Sequence, residues 1–228
     1  MSHLAQASSG FFSWEWVASN LDDIWDRTLE HLVLTAIAVC VGMVVSLLLS
    51  LVALRYRRTY APISWIAGVL YTIPSLALFA FFVPITGLSI LTAEIGLVSY
   101  TLLILVRNIV AGIDGVPPAT VESALGMGYT RRGLFFAVEL PLALPVIVAG
   151  LRIAAVTTIG LVTVTALIGQ GGLGFFILRG LNLFYSPIGT TQIVVGTVLS
   201  IAIAIAVDVS LVGLERLAMP WARRRAAA

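Results

Sequence analysis

The sequence predicts an all-α membrane protein, a polytopic bundle of about five transmembrane helices with one long polar loop between two of them. Three observations lead there. The 228 residues are 60% hydrophobic and only 11% charged, with a mean hydropathy of +1.07. A soluble domain carries about 25% charged residues, so this chain is too apolar for water. The apolar residues form separated runs, each near the ~20 residues that a helix needs to cross a bilayer. The charges gather at the ends of those runs and in the loop.

The first 30 residues carry five acids (Glu15, Asp22, Asp23, Asp26, Glu30) against Arg27 alone. A secretory signal needs a basic start, so none is read here. Phe11, Phe12, Trp14, Trp16 and Trp25 among polar neighbours suggest a short interfacial segment, because tryptophan favours the headgroup level. Residues 32–54 then run without a charge and form span one, closed by the arginines of "RYRR" at 55–58. Span two covers about 62–83. It holds Pro74, which removes a backbone hydrogen bond and is expected to kink the helix. "PITG" at 84–87 is a turn. Span three runs from about 90 to 111, with Glu94 and Arg107 near opposite ends, where both are expected to reach an interface.

The polar loop follows at 112–144. Pro117-Pro118 suits a helix start, and Glu122 near that start favours the positive end of the helix dipole. Gly126 and Gly128 allow a sharp turn. A second helical run from Arg131 to Val138 is expected to stop at Pro141. The loop thus reads as two short helices joined by a glycine turn. Without further information it could be a docking element or a connector lying on the membrane surface. Span four covers about 145–168, interrupted by "GQGGLG" at 169–174. Span five covers about 192–214 with Asp208 inside, and the tail is basic.

Ten of the 13 arginines fall on one side of a five-span arrangement, and lysine is absent. The positive-inside rule makes that side cytoplasmic, with the acidic N-terminus outside and the C-terminus inside. The expected domains are an extracytoplasmic segment 1–27, one transmembrane domain 28–218 carrying the loop 112–144, and a basic cytoplasmic tail 219–228. Cys40 is the single cysteine, so neither an internal disulfide nor a cysteine metal cluster is expected. His3 and His31 have no acid cluster at ligand spacing, and no metal site is expected. No phosphate-binding G-x-x-x-x-G-K-[ST] loop occurs, so this chain is not expected to hydrolyse ATP. A membrane-embedded enzyme would want convergent His, Asp, Glu or Ser, and the charges are scattered. A membrane scaffold without an ATPase remains the alternative of a different class.

The loop resembles the EAA signature of ABC importer permeases: Glu-Ala-Ala, three residues, Gly, nine residues, an aliphatic, one residue, Leu-Pro. Glu122, Ser123, Ala124, Gly128, Val138, Leu140 and Pro141 stand at that spacing, with serine for the first alanine. The resemblance implies a type I importer permease fold in which these residues form coupling helices docked on an ATP-binding subunit. "YTIPSLALFAFFVPITGL", "LVRNIVAGIDGVPP", "ALIGQGGLGFFILRGL" and "LERLAMPW" are similar to permeases of osmoprotectant importers for glycine betaine, choline or carnitine. The methionine-importer permease, with a similar "IGxGGLG" stretch, is the alternative. The likeness covers about residues 28–222, and no fused substrate-binding domain is expected. It implies two ATPase subunits, a second permease chain, identical or homologous, and an external binding protein. The permease itself lies in membrane lipid, with no nucleic acid partner. No cofactor is expected on this chain, since ATP would sit on the partner.

Other candidates are placed by location and chemistry. Arg152 and Asp208 lie deep in spans, where a charge must face the bundle interior or a wet cavity, as part of a path or as a structural pair. Pro74 and the glycines Gly169, Gly171, Gly172 and Gly174 could bend the backbone as a gate or hinge, or merely end a helix. A quaternary ammonium has no hydrogen to donate and is held by aromatic faces. Tyr71, Phe79, Tyr100 and Phe175 are the candidates for that role, against the alternative of plain packing.

Overall fold

The computed structural model describes residues 11–219. The first ten residues and nearly all of the basic tail lie outside them, including the ends whose sidedness the arginines suggest. Among the described residues every regular element is a helix, and no strand occurs. In chain order the helices are α1 (Trp14–Ser19), α2 (Leu21–Arg55), α3 (Tyr60–Thr72), α4 (Ser75–Thr86), α5 (Ile90–Asp114), α6 (Pro118–Gly126), α7 (Arg131–Leu134), α8 (Leu140–Val164), α9 (Gly174–Asn182) and α10 (Pro187–Ala218).

Four stretches are long and apolar enough to cross a membrane: Leu21–Arg55, Ile90–Asp114, Arg131–Ile168 and Pro187–Leu217. The pair α3–α4 makes a fifth if counted as one broken span. The five expected runs are therefore present, but three boundaries differ. The first helix begins at Leu21, so the expected domain boundary at 27/28 falls inside it. The charges of 22–30 do not stop a helix whose backbone bonds are already satisfied internally. Span two is not one kinked helix. The chain leaves the helix at Ile73, whose φ −66° and ψ 129° are extended, and restarts at Ser75, bent by 97°. The residue before a proline is pushed out of the α region, which is what ends α3. Finally, α9 lies between spans four and five, where no element is expected from the sequence.

By contact clustering, the described residues divide into two units. One holds 11–37, 75–96 and 159–205, the other 38–74, 97–158 and 206–219. In the first, Phe79 is fully buried against Gly96 of α5, where any Cβ would collide with the ring. Trp16 of α1 packs edge-on against buried Phe176 at 5.7 Å, and the Ser13 backbone N–H donates to Thr191 Oγ1 of α10 at 2.8 Å. In the second, Leu105, Ile109 and Ile113 of α5 pack on Ala143, Ile147 and Ala154 of α8. The buried positions of α2 there are small, Ser46, Ser50 and Ala53, whereas Leu48 and Leu51 face outward. Between membrane helices there is no hydrophobic drive against lipid, so close van der Waals approach over small residues holds them.

Candidate functional site

The loop between α5 and α8 lies wholly in the second unit. Asp114 ends α5 and pairs with Arg57 at 2.7 Å. Pro118 opens α6, where its missing N–H costs nothing. The helix closes on Gly128, whose φ of +87° is the left-handed region open to glycine. The Tyr129 N–H then donates to the Ala124 carbonyl at 3.1 Å. Thr130 caps α7, its hydroxyl accepting from the Gly133 N–H at 3.2 Å. Three buried residues, Val116, Ala124 and Leu134, anchor the loop.

The motif residues thereby divide. Glu122 and Ser123 are exposed and Ala124 is buried. Glu122 sits in the second turn of α6, not the first, so the helix dipole does little for it. In the same loop Leu125, Met127, Tyr129 and Phe136 are each at least 40% exposed, and Arg131 and Arg132 are exposed as well. Apolar side chains are thus left open beside charges. These four apolar residues were not singled out from the sequence. The signal was their occurrence inside a polar loop.

Pro141 does not stop the second run. Residues 135–139 form a π-helical turn and α8 follows without a break, so helix continues from Arg131 to Ile168. A π turn takes up one extra residue and spares Pro141 the α-type bond that it cannot donate. Val138, Leu140 and Pro141 are half-buried along this rod. The second half of the loop, from Arg131, is therefore one continuous piece of secondary structure with a membrane helix, whereas α6 with Glu122 is set off from it by the Gly128 turn.

The remaining candidates do not converge. Arg152 meets Asp208 through two hydrogen bonds of 2.8 and 3.0 Å, and Glu215 lies 3.8 Å away. This is a neutralised pair, which answers why both charges are tolerated in spans. Glu94 does not reach an interface: it is buried, and neither carboxylate oxygen has a hydrogen-bond partner among the described residues. Phe79 is packed into protein rather than lining a path. Tyr71 is partly exposed and meets Tyr100 edge-on at 5.7 Å, while the Tyr100 hydroxyl donates to the Ile73 carbonyl freed by the Pro74 break. Gly169, Gly171 and Gly172 all have positive φ, and Gly171 and Gly172 also meet backbone closely. Gly174 is ordinary helix, its hydrogen pressed against the backbone of Thr163. Phe175 already carries a cation, the Arg27 guanidinium 4.1 Å from its ring centre.

Residues 38–218 match the family model of the binding-protein-dependent transport system inner membrane component. The chain belongs to that family. As a permease it is similar to the choline transport system permease protein OpuBB of Bacillus subtilis (strain 168), 37% identical over 92% of this chain and 95% of the relative. It is also similar to the glycine betaine/carnitine/choline transport system permease protein OpuCB of the same organism, 36% identical over 89% and 91%. The carnitine transport permease protein OpuCB of Listeria monocytogenes is 37% identical over 88% and 90%. Its fold is that of the membrane chain in inward-facing conformations of the MetNI methionine ABC transporter, with a TM-score of 0.69 over 90% of this chain and 99% of that one, at 21% identity. The permease is a multi-pass membrane protein of type I importer architecture.

Proposed function

We propose that this permease is the translocating subunit of an ATP-driven importer of small quaternary-ammonium osmolytes: glycine betaine, choline, carnitine or a similar solute. One observation carries the coupling half of the reading. From Arg131, just past the Gly128 turn that follows the Glu122 helix, helix runs unbroken through Arg131–Ile168 into a membrane span. A partner that moves against this part of the loop moves the span with it. The substrate half rests on relatives named for choline, glycine betaine and carnitine, matched over nearly their whole length.

In this reading two ATPase subunits bind the ATP, and this chain holds no cofactor. Glu122, Ser123, Ala124, Gly128, Val138, Leu140 and Pro141 form the docking element. A second permease chain, identical or homologous, completes the path, and an external binding protein delivers the solute. The N-terminus is outside and the C-terminus cytoplasmic, because ten of the 13 arginines then lie inside. Residues 1–27 lead in from outside, 28–218 are the permease domain and 219–228 its basic tail. Pro74 and the 169–174 bend serve as hinges.

The test is competition uptake in cells carrying the permease with its ATPase and binding protein. Labelled choline or glycine betaine should enter, and excess methionine should not compete. Competition by methionine but not by the betaines would overturn the substrate and leave the permease standing.

A further inference from the structure

Phe175 was a candidate for holding a quaternary ammonium, and the structure shows a cation already on it. The Arg27 guanidinium lies 4.1 Å from the ring centre. The same guanidinium donates to Glu30 at 2.8 Å and stands 3.7 Å from Asp23. Arg179 approaches that ring at 5.9 Å. An aromatic face with two carboxylates around one cation is the chemistry that recognises a tetraalkylammonium: quadrupole attraction plus counter-charge, with no hydrogen bond required. Guanidinium is the weakly hydrated side-chain cation that stacks on rings, so it can stand in for such a headgroup.

The site is reachable. The side chains of Arg27, Asp23 and Glu30 are 29%, 40% and 29% exposed, and Phe175 is half-buried. It also touches a hinge. The left-handed Gly172 packs against the Arg27 carbonyl and the backbone of His31, so the glycine bend closes on α2 at this point. Phe175 is the second residue of α9, directly after that bend.

We infer that the Phe175 ring with the Asp23 and Glu30 carboxylates is a binding site for the quaternary-ammonium headgroup of the transported solute, occupied here by the chain's own Arg27, which the solute displaces. The inference rests on the importer reading above and on its orientation, which puts this end of α2 outside. Arg27 keeps the site filled between transport cycles and ties α9 to α2. A solute handed over by the binding protein takes the ring and the carboxylates, and the released arginine loosens the bend.

The experiment uses the permease–ATPase complex in lipid nanodiscs without binding protein. Equilibrium binding of labelled choline is measured, with tetramethylammonium as the headgroup-only competitor. Arg27→Met should bind choline about tenfold more tightly than wild type, the scale of one half-buried cation–π contact. Tetramethylammonium should compete. Arg27→Lys, which retains the charge but not the planar stacking group, should fall between wild type and Arg27→Met. The double variant Arg27→Met/Phe175→Leu should lose the gain. Should Arg27→Met fail to assemble, Arg27→Gln carries the same comparison.

In uptake assays Phe175→Leu should slow choline import about tenfold, and Phe175→Tyr should not. An assembled Arg27→Met complex that binds no better than wild type overturns the site, as does a double variant that keeps the gain. Wild-type choline import with Phe175→Leu unaffected also sinks the site and spares the importer reading. A wild-type complex that imports methionine and not choline sinks the reading itself.

Discussion

At Ile73–Pro74 a helix stops and restarts, whereas at Leu140–Pro141 a helix runs on. Both prolines lack the same N–H. The difference is what the neighbouring backbone can do about it. Ile73 turns extended, and its carbonyl finds the Tyr100 hydroxyl. Before Pro141 the five residues 135–139 widen into a π turn and the rod survives; Pro145 is then carried inside α8 as well. In membrane helices a freed carbonyl is tolerated where a neighbour satisfies it. The chain thus builds one broken joint and one continuous connection. The continuous one leads from the loop at Arg131 into a candidate span.

The largest effect should come from making the continuous connection resemble the joint. Ala137→Pro places a proline in the π turn, at a cost of about 3 kcal/mol to helix continuity. Uptake should fall to background while the protein still inserts, as seen in membrane fractions. Uptake above half of wild type would contradict the lever.

The next concerns the ion pair that joins α8 to α10. Arg152→Met leaves Asp208 and Glu215 without their cation in a span, and membrane yield should drop several-fold. The double variant Arg152→Met/Asp208→Leu should recover much of it, because it buries no lone charge. Equal yields for single and double variants would mean that the pair is idle.

The smallest effect is at the joint. Tyr100→Phe removes the hydroxyl that satisfies Ile73, and should cost about 1–2 kcal/mol. Thermal melting of the detergent-solubilised chain should shift down by a few degrees. An unchanged melt would show that the Ile73 carbonyl needs no protein partner.

The spans were legible because a bilayer imposes a length and a composition that a sequence window can read. The loop's motif was legible through Glu122, Gly128 and Leu140-Pro141, whose spacing is local. What could not be read depends on contacts distant in the chain. Pro74 announces a lost bond, but not that Tyr100, 27 residues on, will stabilise a full break. Pro141 announces a stop, and nothing in its neighbours signals a π turn. Arg152 and Asp208 are 56 residues apart, so a path and a pair look alike until α8 and α10 are packed. Phe175 was legible as an aromatic face, but its resident Arg27 lies on another helix. Glu94 looked like an end-of-helix charge because its burial is made by other elements.

The central claim is that the loop at 112–144 couples an ATPase to import, and Glu122→Lys tests it most directly. Glu122 is exposed, so reversing its charge should leave insertion intact. ATPase co-purification and ATP-driven uptake of labelled choline are measured on the same preparation. The account expects normal membrane levels, co-purification reduced at least tenfold and uptake at background, as a reversed charge at a docking surface costs assembly. Normal co-purification together with normal uptake would contradict it.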